Sequence, residues 1–132
     1  MFHFRLDTGS GVPPYLQLVQ QVQHAVRLGF LRPGDRLPLI REVVESLAIN
    51  PNTVAKAYRQ LEHERLVTGR PGQGTFVNDT LPAAVPPATY SALRHGLRTW
   101  LRRAYAAGLD DDAIAALFTS VHHQAKTNAE AS

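Results

Sequence analysis

The chain has 132 residues, 44% of them hydrophobic and 19% charged, which suits one modest domain with a core or a small domain with an appendage. It contains no cysteine, and this excludes disulfides, thiolate zinc sites, iron–sulfur clusters and cysteine nucleophiles. Fourteen lysines and arginines against eleven acidic residues give a formal net charge of +3, which permits an anionic partner without demonstrating one.

The N-terminus lacks the basic-then-apolar pattern of a signal peptide, and no apolar run in the chain reaches the roughly 20 residues that cross a bilayer. We therefore expect a soluble, cytoplasmic protein.

The pattern of the N-terminal region predicts a short strand followed by a helix. Residues 2–6 alternate between apolar and polar side chains, as a strand would. An apolar stripe with helical spacing starts at Tyr15, after two prolines, and stops near Gly29.

Two further helices are predicted beyond a turn at residues 31–35. The first is short, because the apolar stripe of residues 40–47 covers barely two turns. The second begins at Asn50 and Pro51, since asparagine caps free amide groups and proline is tolerated at the first helical position. The predicted exposed side of this helix is polar and carries Asn52, Thr53, Lys56, Arg59 and His63.

A small hairpin is predicted next. Residues 66–68 and 75–77 can pair as strands around a glycine-rich tip at 69–74. A short helix, a turn of about three residues, a capped helix and a hairpin describe a winged helix-turn-helix, whose second helix enters the major groove of DNA. Amides there read adenine, whereas cations and hydroxyls hold phosphates. Arg70 at the tip would reach phosphate or the narrow groove.

The second part of the chain is predicted to be helical. Three prolines within residues 81–88 indicate an extended linker between a domain at 1–80 and two helices at 89–126, which a polar tail at 127–132 follows. Two helices cannot enclose their own apolar faces, so these faces are expected to pack on the first domain or in a symmetric dimer. The apolar residues concerned are Leu93, Leu97, Trp100, Leu101, Ala104, Ile114, Leu117, Phe118 and Val121.

A series of motifs covers residues 2–78. It contains Pro14-Tyr15-x-Gln17, Leu31-x-Pro33-Gly34-Asp35-Arg36-Leu37-Pro38, Arg41-Glu42, Asn50-Pro51-Asn52-Thr53-Val54-x-Lys56-Ala57-Tyr58-x-x-Leu61-Glu62 and Gly72-x-Gly74-Thr75-Phe76-Val77. Together these motifs resemble the GntR family of bacterial transcription regulators, in its short YtrA-type branch. The resemblance implies a mainly helical fold with a small β wing: an N-terminal winged helix-turn-helix, then a two-helix C-terminal segment that dimerises.

The resemblance also implies where DNA binds. It assigns Arg41 to DNA, residues 50–56 to the major groove, and the wing at 70–74 to the backbone or minor groove. With the neighbouring cations included, the candidate DNA-binding residues are Arg36, Arg41, Asn50, Asn52, Thr53, Lys56, Arg59, Arg70, Gly72, Gln73 and Gly74.

The chain departs from the family pattern at four positions. Pro51 and Ala55 stand where members often have arginines, so base recognition is expected to shift to residues 52, 53 and 56. Leu39 replaces a serine that often caps the second helix. Arg65 replaces a glycine that commonly closes the third helix in a left-handed conformation, which makes that turn costly.

Several alternative interpretations stay open. The candidate cations are also compatible with ordinary solvated surface, and Gly72 and Gly74 with turn geometry alone. The six histidines lack metal-ligand spacing and are expected on the surface, so we predict no metal and no cofactor. Arginines at positions 94, 98, 102 and 103 are compatible with an anionic ligand or DNA flanks, but we favour solvation or pairing with Asp110 to Asp112 of a partner chain. These aspartates are expected to start the last helix.

The predicted function is a homodimeric transcription regulator, a repressor that binds a pseudo-palindromic operator. Its expected partners are double-stranded DNA and a second copy of the chain, with no membrane. An effector, if one exists, would bind at the dimer or interdomain surface. The alternative is a winged-helix module that docks a protein instead of DNA. An enzyme is not expected, because no nucleophile, base and orienting acid converge in any segment.

Overall fold

The computed structural model describes residues 2–79 and 86–131. Its elements in chain order are the helices α1 (Pro14–Arg27), α2 (Ile40–Leu47) and α3 (Pro51–His63), the strands β1 (Val67–Arg70) and β2 (Gly74–Val77), and the helices α4 (Pro87–Ala106) and α5 (Asp111–Ala131). They are distributed over two compact units, Met1–Pro87 and Ala88–Ser132. The fold is therefore mainly helical with one small antiparallel sheet, as the sequence predicts.

The boundary regions differ in part from the prediction. Most of the linker expected at residues 81–88 lies outside the described residues, and α4 already begins at Pro87. Helix α5 continues to Ala131, through residues expected to form a polar tail. No helix in the described ranges is long and apolar enough to cross a membrane.

The core of the first unit is formed by the apolar stripes of the three predicted helices. Helices α1 and α2 both pack against α3, and strand β1 contacts it as well. This arrangement buries one side of α3 and leaves the opposite side facing solvent. The buried cluster consists of Phe4, Leu18, Val19, Val22, Ala25, Leu31, Leu37, Val43, Val54, Ala57, Tyr58, Leu61, Val67 and Val77.

Residues 2–6 do not form the predicted strand. The alternation of their burial is nevertheless real, because Phe4 is buried and its neighbours His3 and Arg5 are exposed. Side chains of α1 take the place of a neighbouring strand. The Gln21 amide accepts from the N–H of Arg5 at 2.9 Å and donates to its carbonyl at 2.5 Å. The segment thus satisfies its backbone polar groups without a sheet.

A third segment joins the wing, the hairpin formed by β1 and β2. Residues 34–37 run beside β2, where Arg36 forms an isolated bridge with Phe76. The N–H of Leu37 donates to the carbonyl of Thr75 at 2.8 Å. The sequence predicts only a turn at this place, because a ladder of so few residues gives no detectable alternation. The consequence is that the wing is bonded to the chain just ahead of α2.

The start of α2 is held by two polar contacts. The Leu39 side chain offers no cap, and the Glu42 carboxylate accepts from the Leu39 N–H at 3.1 Å. The hydroxyl of buried Tyr58, on α3, donates to the carbonyl of Pro38 at 2.6 Å. Burial, together with the nearby charge of Glu42, raises the pKa of Tyr58. The phenol therefore stays neutral and couples α3 to Pro38, two residues ahead of α2.

Replacing Tyr58 with phenylalanine is expected to destabilise the chain by about 1 kcal/mol at pH 8, because the Pro38 carbonyl loses its buried donor. The folded-state pKa lies above the ordinary value of about 10, so this stabilisation is complete below pH 10 and decreases at higher pH, where the unfolded phenol ionises. Urea unfolding of both proteins at pH 8 and pH 11 should show the difference shrinking. A difference that does not change with pH would contradict this account.

Helix α3 ends on a strained residue. The N–H of Leu66 donates to the carbonyl of Leu61 at 3.1 Å and the N–H of Arg65 to that of Glu62 at 2.9 Å, the hydrogen bonds of a Schellman motif. Arg65 occupies the left-handed position of this motif, with a φ of 63°. This is the costly turn expected where arginine replaces the glycine of the family pattern. Helix α4 ends in the same motif with Gly108 at that position.

The Arg65→Gly variant is expected to be more stable than the wild type by about 0.5–1 kcal/mol, because glycine adopts the left-handed conformation without a Cβ penalty. Urea unfolding measures the difference. Arg65→Ala is the matched control, since it removes the same side chain but keeps the Cβ atom. An equal gain in both variants would show that the arginine side chain, and not the backbone, is responsible.

Candidate nucleic-acid interface

The solvent side of α3 presents the polar residues that the sequence singles out. Asn52, Lys56 and Arg59 are exposed and follow one another at helical spacing, so they share a face, and Thr53 is half-buried beside them. Across residues 2–79 and 86–131, no carboxylate forms an ion pair with Lys56 or Arg59. This face therefore offers an amide, a hydroxyl and two uncompensated positive charges.

The first turn of α3 is fixed by its cap. The side-chain oxygen of Asn50 accepts from the backbone N–H of Asn52 at 2.8 Å, which confirms the predicted helix start. The Asn50 oxygen is thus engaged in the fold, and its amide NH₂ group is the part that can still donate to a ligand. The cap thus fixes the backbone of the first turn, from which the Asn52 side chain projects.

A groove of about 870 Å³ separates the start of α2 from the wing. It gathers three of the predicted arginines, Arg36, Arg41 and Arg70, around a floor that includes Tyr58 and Glu62. None of the three arginines is ion-paired within the part of the chain that the structure describes. The wing tip completes the groove with Gly72, Gln73 and Gly74.

The two tip glycines have different structural reasons. Gly72 has a φ of 75° with open space around its Cα, which fits a requirement of the turn alone. Gly74 has a φ of 125°, and a Cβ atom there would lie 3.3 Å from Cδ of Arg36 and 3.5 Å from Cδ2 of Leu39. Gly74 thus allows the wing backbone to approach the side chain of Arg36.

Two of the predicted cations lie over aromatic rings. The Nζ atom of Lys56 is 3.8 Å from the ring centroid of Tyr15, and Cζ of Arg70 is 4.5 Å from that of Phe76. Neither contact is indicated by the sequence pattern. The second was within reach, because the hairpin register puts residues 70 and 76 diagonally on one face of the sheet. The first depends on how α1 packs on α3.

Helices α4 and α5 expose most of their apolar faces within the described part of the second unit. Among the residues predicted to dimerise, Ala104 is buried and Trp100, Leu101 and Ile114 are half-buried. Tyr105, which the sequence analysis did not include, is also exposed. The other predicted residues are exposed: Leu93, Leu97, Leu117, Phe118 and Val121.

The acidic cluster ahead of α5 has a structural role. The carboxylate of Asp110 accepts from the N–H of Ala113 at 2.8 Å, which confirms the predicted helix start. The hydroxyl of Tyr105 donates to Asp111 at 2.7 Å, and this bond raises the pKa of Tyr105. All six histidines are exposed, and in the described ranges no group of three or more histidine, aspartate or glutamate side chains is arranged to hold a metal ion.

Comparison with known proteins identifies relatives of this chain. Residues 14–77 match the family model for bacterial regulatory proteins of the gntR family. The HTH-type transcriptional repressor YtrA of Bacillus subtilis is 31% identical over 106 residues, which are 80% of this chain and 82% of that protein. The structure of YtrA from Sulfolobus acidocaldarius, a GntR-family transcription factor, matches with 32% identity and a TM-score of 0.53, over 78% of this chain and 97% of that one.

A protein solved in complex with DNA shares part of this fold. The DNA-binding domain of AraR, solved with operator ORX1, matches 58% of this chain and 99% of its own length with a TM-score of 0.52 and 24% identity. The family model and the YtrA matches confirm the resemblance that the motifs indicate. The chain belongs to the GntR family of transcription regulators, in its YtrA-type branch.

Proposed function

We propose that this DNA-binding transcription regulator is a repressor that acts as a homodimer on a pseudo-palindromic operator. In this proposal α3 enters the major groove, and the wing lies on the adjacent backbone or minor groove. Repression follows when the bound dimer blocks access of the polymerase to the promoter. The relatives are transcription regulators and not enzymes, which supports a function in binding alone.

The observation that carries the proposal is a set of five cations without ion-pair partners in the described ranges, three of them in the groove beside the wing and two on the solvent face of α3. Arg36, Arg41 and Arg70 line the groove beside the wing, and Lys56 and Arg59 lie on the solvent face of α3, all without carboxylate partners in the described residues. Charges left unpaired by the protein can each neutralise a phosphate and release its condensed counterion. A chain with a net charge of only +3 thereby acquires a DNA-binding surface.

Individual roles follow from the chemistry of each side chain. We assign base recognition to Asn52 and Thr53, at the start of α3, because the N-terminal residues of a recognition helix meet base edges. Lys56, also expected to read a base, is assigned to a phosphate instead, because its ammonium group lies at the flank of α3 that faces α1. Backbone contacts are assigned to the cations and the wing tip. The proposed DNA-binding set is Arg36, Arg41, Asn50, Asn52, Thr53, Lys56, Arg59, Arg70, Gly72, Gln73 and Gly74.

A second copy of the chain is proposed to cover the apolar faces of α4 and α5. Leu97 and Phe118 are each about half exposed, so these faces remain in contact with water in the second unit taken alone. A symmetric dimer buries the same surface on both copies. It also presents two copies of α3 to half-sites about one helical turn (~34 Å), or a multiple of it, apart.

Selection of bound fragments from random DNA tests this function directly. We expect enrichment of two inverted half-sites at a fixed spacing. Binding to the enriched duplex should weaken steeply as the salt concentration rises. In a plot of the logarithm of the binding constant against the logarithm of the salt concentration, each neutralised phosphate should contribute about −0.9 to the slope. A module that docks a protein would enrich no sequence and would give a shallow slope, and that result would overturn the proposal.

A further inference from the structure

We infer that Tyr15 is a positioning residue for DNA binding, because its ring holds the ammonium group of Lys56 beside α3 where a backbone phosphate can reach it. This inference rests on the proposed function and adds to it a residue of α1. No other role in the interface has been given to Tyr15. A positioning role predicts that substitutions at residues 15 and 56 have interdependent effects on the affinity for DNA.

The geometry is that of a close cation–π contact. Nζ of Lys56 lies 3.8 Å from the ring centroid, well inside the limit of about 6 Å for such contacts. The ring belongs to the second residue of α1, a helix that packs on α3, and it is half-buried. It is therefore a fixed part of the first unit. The lysine side chain is exposed and adapts to the ring.

The contact orders the lysine without cancelling its charge. An ammonium group has three N–H donors, and a ring face can engage only the side of the group that is turned toward it. No carboxylate pairs with Lys56 among the residues that the structure describes, so its positive charge stays available. Lysine is among the side chains that lose most rotamer freedom when they are fixed. Because part of this freedom is already lost in the free protein, less is lost on binding, and the affinity for DNA increases.

The position of the ring also indicates which part of DNA Lys56 meets. Tyr15 lies on α1, so the ammonium is held at the flank of α3 that faces α1. When a helix lies in the major groove, its flanks face the sugar–phosphate backbone, and its centre faces the base edges. We therefore assign Lys56 to a phosphate. Its contribution should be the same for operator and unrelated DNA.

The experiment is a double-mutant cycle on full-length protein. Tyr15→Leu removes the ring, Tyr15→Phe keeps it, and each is combined with Lys56→Ala. Affinity for a random-sequence duplex is measured by fluorescence anisotropy at several salt concentrations. We expect Tyr15→Leu to weaken binding about two- to fivefold and Tyr15→Phe to leave it nearly unchanged. In the Lys56→Ala background, Tyr15→Leu should cause no further loss.

A spectroscopic measurement separates positioning from a general structural effect. The ring current of Tyr15 should shift the Lys56 ε-methylene protons upfield in the free wild type and in Tyr15→Phe, and the shift should vanish in Tyr15→Leu. Thermal melts check the fold of each variant. Should leucine disturb the packing of α1, Tyr15→Met serves as the second variant without a ring.

The outcomes are distinguishable. If Lys56→Ala leaves DNA affinity unchanged, the interface proposed on α3 is wrong. If Lys56→Ala weakens binding while Tyr15→Leu has no effect or an additive one, the interface stands and the positioning role is refuted. If Tyr15→Leu strengthens binding, the ring withholds the ammonium from DNA, and the inference is overturned.

Discussion

A chain carrying Leu97→Glu and Phe118→Glu is expected to sediment as a monomer. The two side chains are 50% and 53% exposed in the single chain, so a partner would bury roughly the remaining half of each. That burial is worth about 1 kcal/mol per side chain. Each residue occurs twice in a symmetric dimer, and the loss therefore amounts to about 4 kcal/mol, or about 1000-fold in the dimer dissociation constant.

The same variant should bind the selected operator about 10²- to 10⁴-fold more weakly, because a monomer loses the effective concentration that links two half-sites. Sedimentation velocity and anisotropy measure the two effects. The matched control is His95→Glu with Ser120→Glu, which adds the same charges at exposed positions two residues away, on the opposite side of each helix. A double variant that remained dimeric would refute the role assigned to these faces.

Asn52→Ala is expected to lower the preference for the operator over random duplex by roughly 1–3 kcal/mol, with the salt dependence nearly unchanged. The physical reason is that an exposed amide can pair bidentately with adenine, whereas it neutralises no phosphate. The substitution leaves the helix start intact, because Asn50 accepts from the backbone N–H of residue 52 and not from its side chain. Competition binding with both duplexes at several salt concentrations measures the preference and the slope.

The control for this variant is Gln20→Ala, which removes an exposed amide from α1, outside the proposed DNA-binding set. It should leave both the preference and the salt slope unaltered. An Asn52→Ala protein with undiminished operator preference would show that this side chain reads no base.

The helices of the first unit could be predicted because their signals are local. The apolar spacing of α1 and α2, and the Asn50-Pro51 start of α3, locate these elements at the observed positions. The bonding of residues 34–37 to β2 was not predictable, because it joins segments about 40 residues apart in the chain. The prediction of a strand at residues 2–6 is wrong for a related reason. Alternation reports burial, and Gln21 supplies backbone hydrogen bonds that a neighbouring strand would otherwise make.

The candidate site likewise combines residues that local spacing predicts with a contact that it does not. Helical spacing is enough to place Asn52, Lys56 and Arg59 on one face of α3, and the structure puts them there. The stacking of Lys56 on Tyr15 depends on the packing of two helices whose contacting residues are 41 positions apart, since 56 minus 15 is 41. Such a contact leaves no periodic trace in the sequence.

The bond between the wing and the chain ahead of α2 affects how a duplex would fit. Because the N–H of Leu37 donates to the carbonyl of Thr75, the wing is tied to the chain ahead of α2, which restricts its movement toward the DNA. The duplex must then supply the match through its own bend and groove width. Narrow minor grooves in A-tracts attract arginine, and the proposed DNA-binding set includes Arg70, the last residue of β1 beside the wing tip. We therefore expect base composition beside each half-site to influence affinity, even at base pairs that no side chain touches.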